Sequence, residues 1–187
     1  MTVPPFERAY VVTPQFAAGR TFVGATTVET VDKLVALQEC GIATIVSLLG
    51  RGEVGWTRNA LAEADMVKAG ISQAFHHHYF PVVDGTAPGI AQTSAILDLL
   101  NEEIGQQRPV YVHCVGGRGR TGTVVGCWLV QTKGLDGPAA LKHLNEVRLA
   151  AGLDLPSPET EEQFARIQNW TSSKSPEMGR RAANAST

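Results

Sequence analysis

Residues 113–121 read HCVGGRGRT, one cysteine set ahead of three glycines and two arginines. Gly116, Gly117 and Gly119 allow backbone angles at which successive N–H groups converge on an anion. A helix beginning just after them would add the positive end of its dipole. The residues from Val115 through Gly116, Gly117, Arg118 and Gly119 to Arg120 are therefore expected to cradle a phosphate. A Walker-type nucleotide loop is excluded, because Gly-Lys-Ser/Thr is absent at its end. Cys114 sits inside the same positive field, which favours its thiolate, a nucleophile held at attack distance from the bound phosphorus. Arg120 can fork two donors onto phosphate oxygens and stabilise charge in the transition state. Thr121 can donate its hydroxyl to the sulfur and improve it as a leaving group. His113 is expected to fix the loop by bonding backbone, without touching substrate. Taken singly, each residue type is more often structural; the spacing His-Cys-x2-Gly-x2-Arg-Thr gives them a common purpose.

A thiolate that displaces an alcohol from phosphate needs a proton for the departing oxygen. The donor should lie on a mobile loop, apart in sequence and opposite the cradle. In FPVVDGTAPG, Asp84 follows an extended stretch, and Pro81, Gly85, Pro88 and Gly89 frame a loop around it. Asp-Gly alone is a common turn, but beside the cysteine loop Asp84 is the candidate acid and, later, the base for water. Asp65 and Asp98 fall within helical patterns and are weaker candidates.

The stretch HCVGGRGRTG resembles the His-Cys-x5-Arg-Ser/Thr signature of the cysteine-dependent protein tyrosine phosphatase superfamily. With RGE (51–53) and HHHYFPVVDGTAPGI (76–90), residues 40–165 are similar to the kinase-associated phosphatase branch of the dual-specificity type. The resemblance implies an α/β single domain, a central mixed or parallel sheet flanked by helices, and a cysteinyl-phosphate mechanism. Asp84 matches the Asp of the family's Pro-x-x-Asp-Gly segment. Arg51 and Glu53 match the branch, with Glu53 a candidate partner for Arg120. In SPETEEQF (157–164), Gln163 fits the family's Gln before an aromatic that positions the hydrolytic water, while Glu159 stands where an earlier Gln is found. Absence of a long N-terminal addition favours a shallow pocket and phosphoprotein or phosphopeptide substrates. The alternatives are a phosphoinositide or inositol-phosphate phosphatase, for which Arg118 alone is thin support, and a phosphate-binding adaptor without turnover. An adaptor has no need of Cys114, Arg120 and Asp84 together.

Composition narrows the setting. A formal charge of −2 gives no field for nucleic acid or an anionic membrane, so anion attraction must be local. The opening MTVPPFERAY has no apolar core of signal-peptide type, and no segment is long and apolar enough to span a bilayer. Three widely spaced cysteines, Cys40, Cys114 and Cys127, argue against a disulfide framework and for a reducing, cytoplasmic compartment. Cys127 reads as core, and Cys40 is a candidate resolving thiol. No CxxC occurs, and His76, His77 and His78 on a strand would alternate faces, so neither a metal nor another cofactor is expected.

These residues need elements to carry them. An apolar run at 9–19 is broken by Pro14 and Gly19, and 42–49 and 109–113 read as buried strands. Helical spacing appears from Thr27 (Val31, Leu34, Val35), over 57–69, and after Gly89 (Ile90, Leu97, Leu100, Ile104). Further helices are expected at 121–134, after the cap Asp136, and from Pro158 to Trp170. The phosphatase domain is expected over 1–170, with a polar, disordered tail at 171–187.

Overall fold

Strands form where β-branched and aromatic residues cluster, and their order decides where the cysteine loop emerges. The computed structural model describes residues 1–50, 52–53 and 75–171. The helical pattern at 57–69, Arg51, Asp65 and all of the expected tail beyond residue 171 lie outside the described residues. Pro14 and Gln15 turn the first apolar run back on itself, so it forms two strands, β1 (Ala9–Thr13) and β2 (Phe16–Arg20), paired antiparallel. Helix α1 (Thr27–Glu39) follows, with the Thr26 hydroxyl accepting from the Glu29 N–H. Strands β3 (Thr44–Ser47) and β4 (His76–Tyr79) run parallel to each other. Helix α2 (Ile90–Gly105) leads to strand β5 (Val110–Cys114), which pairs parallel with β2 on one side and β3 on the other. The sheet is thus mixed, in the order β1-β2-β5-β3-β4. Helices α3 (Gly119–Lys133), α4 (Gly137–Ala150) and α5 (Glu161–Gln168) complete the five helices among the described residues.

Alternation along β5 splits the core in two. Val110, Val112 and Cys114 face one side with Phe16, Ala18 and Val46, covered by Leu97, Val124, Val125, Leu144 and Ile167 from the four later helices. Tyr111 faces the other side with Ala17, Ile45 and the α1 residues Leu34 and Leu37. Cys40 packs on this second side, across the sheet from Cys114, so the structure does not place it as a resolving thiol. Burial pushes the Cys127 thiol up to about 12, which suits an inert core position.

Helix α3 is poor in intrinsic propensity, with three glycines and many β-branched residues. Packing overrides this: nearly every residue of its first three turns is buried, and each buried Val or Leu contributes roughly 1.5–3 kcal/mol. Gly126 leaves the space that the Ile167 side chain fills. The helix also begins two residues earlier than periodicity suggests, taking Gly119 and Arg120 into its first turn. Helix α5 is shorter than the expected 158–170 because the hydroxyl of Thr160 starts it in a reciprocal capping box with Gln163.

Candidate active site

Parallel strands β2, β5 and β3 end together, and the loop from Cys114 to Arg118 fills the crevice at their carboxyl ends, the usual ligand position in open α/β sheets. Cys114 closes β5 and is 3 % exposed. Its Sγ accepts a hydrogen bond from the Gly117 N–H at 3.3 Å. Gly117 has φ +71°, and a Cβ there would overlap the backbone of Gly19 and Arg20. Glycine is required on both counts. The outer wall of the loop is Val115, 45 % exposed, whose carbonyl accepts from the Thr21 N–H at 3.1 Å, and Gly116, which is exposed.

Arg120, in the first turn of α3, is 1 % exposed. Glu53 takes its fork in two bonds of 2.6 and 2.9 Å, the pairing expected from the branch resemblance. The same guanidinium donates to the Val82 carbonyl at 3.0 Å, and its Nη2 lies 2.8 Å from Asp84 Oδ1. Its Nε N–H is buried and has no partner among the described residues. The Arg120 bonds hold the Glu53 carboxyl below the usual carboxylate range, so the pair is ionised at neutral pH.

Asp84 stands in a turn closed by the Thr86 N–H on the Val83 carbonyl, with Gly85 at φ +77°. Its side chain is 76 % exposed and ion-paired with Arg120. The loop that carries it is held by several bonds: Gln92 bonds the Pro81 carbonyl, Arg120 the Val82 carbonyl, and residues of the α5 N-terminus hold 85–87.

His113 is fully buried, edge-on to Phe22 and stacked near Tyr111, with Nδ1 3.3 Å from the Cys114 carbonyl oxygen. Burial pushes its imidazole down to about 4, so it is neutral at physiological pH. Thr121 is buried, and its hydroxyl makes no hydrogen bond among the described residues; the expected bond to Sγ is not formed in this state. Arg118 donates to the Pro156 carbonyl at 2.6 Å and to Glu159 at 3.3 Å. Gln163 is buried, and its Oε1 accepts from the N–H groups of both Glu159 and Thr160. His77 packs among the rings of Phe22, Phe75 and Tyr79, while His76 lies 3.9 Å from Glu103; among the described residues no group of three ligands could hold a metal ion.

Sequence reasoning missed the support behind the cradle. Buried Arg148 on α4 donates to the Gly117 carbonyl at 3.0 Å and stacks over Tyr10. Ser157 donates to the Arg118 carbonyl at 2.7 Å and is held in turn by Asn145 in two bonds. An arginine at position 148, on the face otherwise carrying Leu144 and Leu141, was the available signal: a charge on an apolar stripe needs a buried partner.

Known proteins resemble this chain in sequence and in fold. Cyclin-dependent kinase inhibitor 3 of Homo sapiens is 32 % identical over 113 residues, covering 60 % of this chain and 51 % of that protein. Phosphatidylglycerophosphate phosphatase PTPMT2 of Arabidopsis thaliana is 31 % identical over 83 residues, covering 44 % of this chain and 36 % of that one. The chain therefore spans about half, or less, of the length of these relatives. The crystal structure of kinase associated phosphatase, with its catalytic cysteine changed to serine, superposes with a TM-score of 0.68 at 19 % identity, over 89 % of this chain and 94 % of that one, and so shares the fold. The family described as polymorphic toxin system, DSP-PTPase phosphatase (Tc-R-P), matches residues 18–134. That stretch runs from β2 through the Asp84 turn and the cradle to the end of α3, so the chain belongs to the DSP-PTPase phosphatase family of polymorphic toxin systems.

Proposed function

We propose that the protein hydrolyses phosphomonoesters through a phosphorylated Cys114. The cradle N–H groups and the Arg120 Nε N–H bind the phosphate. Cys114 Sγ forms a bond to phosphorus as the ester P–O bond breaks, and Asp84 gives its proton to the departing oxygen. Water then attacks phosphorus, the S–P bond breaks, and Asp84 takes the water proton. His113 holds the loop through the Cys114 carbonyl, and Thr121 donates to the thiolate as it leaves. Supporting this reading above all is the buried Arg120, six residues after Cys114, whose fork is fixed by Glu53 while its Nε N–H has no partner among the described residues.

Phosphoprotein or phosphopeptide substrates are the first choice, in keeping with the likeness to cyclin-dependent kinase inhibitor 3. A phospholipid monoester is the second reading, carried by the likeness to a phosphatidylglycerophosphate phosphatase. A reducing, cytoplasmic setting fits the three free cysteines. No helix among the described residues is long and apolar enough to cross a membrane. The test is a phosphate-release panel of phosphotyrosine, phosphoserine and phosphothreonine peptides, phosphoinositides and phosphatidylglycerophosphate. Cys114→Ser should lose turnover by about 10³-fold or more while still binding a phosphopeptide; near-normal release by that variant would reject the mechanism.

A further inference from the structure

The N-terminal turn of α5 touches the Asp84 loop at three successive residues. The Thr160 hydroxyl donates to the Gly85 carbonyl at 3.1 Å, Gln163 Nε2 donates to the Thr86 carbonyl at 2.9 Å, and Glu162 Oε1 accepts from the Ala87 N–H at 3.3 Å. All three bonds go to backbone, so they fix the path of the loop while the Asp84 carboxylate keeps its ion pair with Arg120. The same turn rests on the other half of the site: a Cβ at Gly119, the first residue of α3, would overlap Glu159 and press on the Gln163 amide. Gln163 is therefore a strut between the end of the cradle and the loop above it.

Hydrogen-bond capacity decides what else Gln163 can do. Its amide oxygen has two lone pairs, and the Glu159 and Thr160 N–H groups occupy both, at 3.0 and 3.2 Å. One Nε2 hydrogen is spent on Thr86. Accepting a proton-bearing water would mean breaking the capping box that starts α5.

We propose that Thr160, Glu162 and Gln163 form a latch that positions Asp84 for protonation of the leaving group in the first chemical step. The inference rests on the assignment of Asp84 as the acid. A displaced acid slows substrates whose leaving oxygen needs a proton far more than those whose leaving group departs unaided. A damaged cradle slows both alike.

The test compares phenyl phosphate with p-nitrophenyl phosphate for the full chain and for Thr160→Asp, Gln163→Ala and Asp84→Asn. Thr160→Asp is the informative variant: a carboxylate still caps α5, yet cannot donate to the Gly85 carbonyl. It should lower kcat/KM on phenyl phosphate by about tenfold or more, and on p-nitrophenyl phosphate by less than about threefold. Thr160→Ser, which keeps the donor, should restore both. In an Asp84→Asn background, Thr160→Asp should add no further loss, since there is no acid left to aim. Equal losses on the two esters, or full additivity with Asp84→Asn, would overturn the latch while leaving the acid intact. An Asp84→Asn variant with no preference between the esters would overturn the acid assignment, and the latch with it.

Discussion

At residue scale, Arg120 joins binding to architecture. Its guanidinium meets Glu53, the Val82 carbonyl and Asp84 at once, while its buried Nε has no partner among the described residues. Only a planar fork satisfies that geometry; an ammonium offers a point charge and would leave a Glu53 oxygen without its partner. Arg120→Lys should therefore lower kcat/KM by about 10²-fold or more and destabilise the fold by roughly 1–3 kcal/mol. Phosphate release and urea denaturation of the same variant check both halves. Full stability with lost activity would mean that the Glu53 pair contributes little to folding. The residue types of this site were plain in the sequence, because a nucleophile, a fork and an acid have few substitutes. Arg118 shows what type alone does not tell: only the placement of Pro156 and Glu159 shows that its side chain clasps the loop 153–160.

Among elements, the cradle depends on how closely strand and helix approach. Gly117 lies against the β2 backbone at Gly19 and Arg20, with its N–H on Cys114 and its carbonyl on Arg148. Gly117→Ala would have to move that backbone and also hold a positive φ, at a cost of about 1–3 kcal/mol for the conformation alone. The thermal midpoint should fall, and phosphate release should drop by about 10²-fold, because the amide that faces Sγ turns away. An unchanged thermal midpoint would show that β2 yields easily. Strand-loop-helix order was legible because the apolar run 109–113 gives way to glycines. That β2 is an inner strand was not, since nothing local tells a hairpin's second strand which partner it will find.

Across the whole molecule, two buried groups, His113 on β5 and Glu103 on α2, are expected to set the acid limit of stability. Burial holds His113 at about 4, below its ordinary value of roughly 6.5. The unfolded chain therefore binds the extra proton between those values, and stability falls as pH drops from about 6.5 towards 4. That shift corresponds to about 3 kcal/mol. Glu103, bonded by the Arg108 fork and by the Thr44 hydroxyl, is lowered to about 2, so its contribution is present above the usual carboxylate range and is lost as pH falls through 2. Urea midpoints should decline in two stages, and His113→Asn should flatten the first stage alone. A decline between pH 6.5 and 4 that persists in that variant would assign the effect elsewhere.

The sequence by itself determined the candidate chemistry: Cys114, Arg120 and Asp84 are few, reactive and spaced as the proposed phosphate displacement requires, and the periods of 2 and 3.6 around them dictate strand, loop and helix. Only the tertiary structure decided what those residues touch. Glu53, Arg148, Ser157 and Gln163 reach the cradle and its loop from 31 to 77 positions away. Contacts over such separations arise from the packing of whole elements, and no local pattern encodes which buried side chain will meet which backbone group.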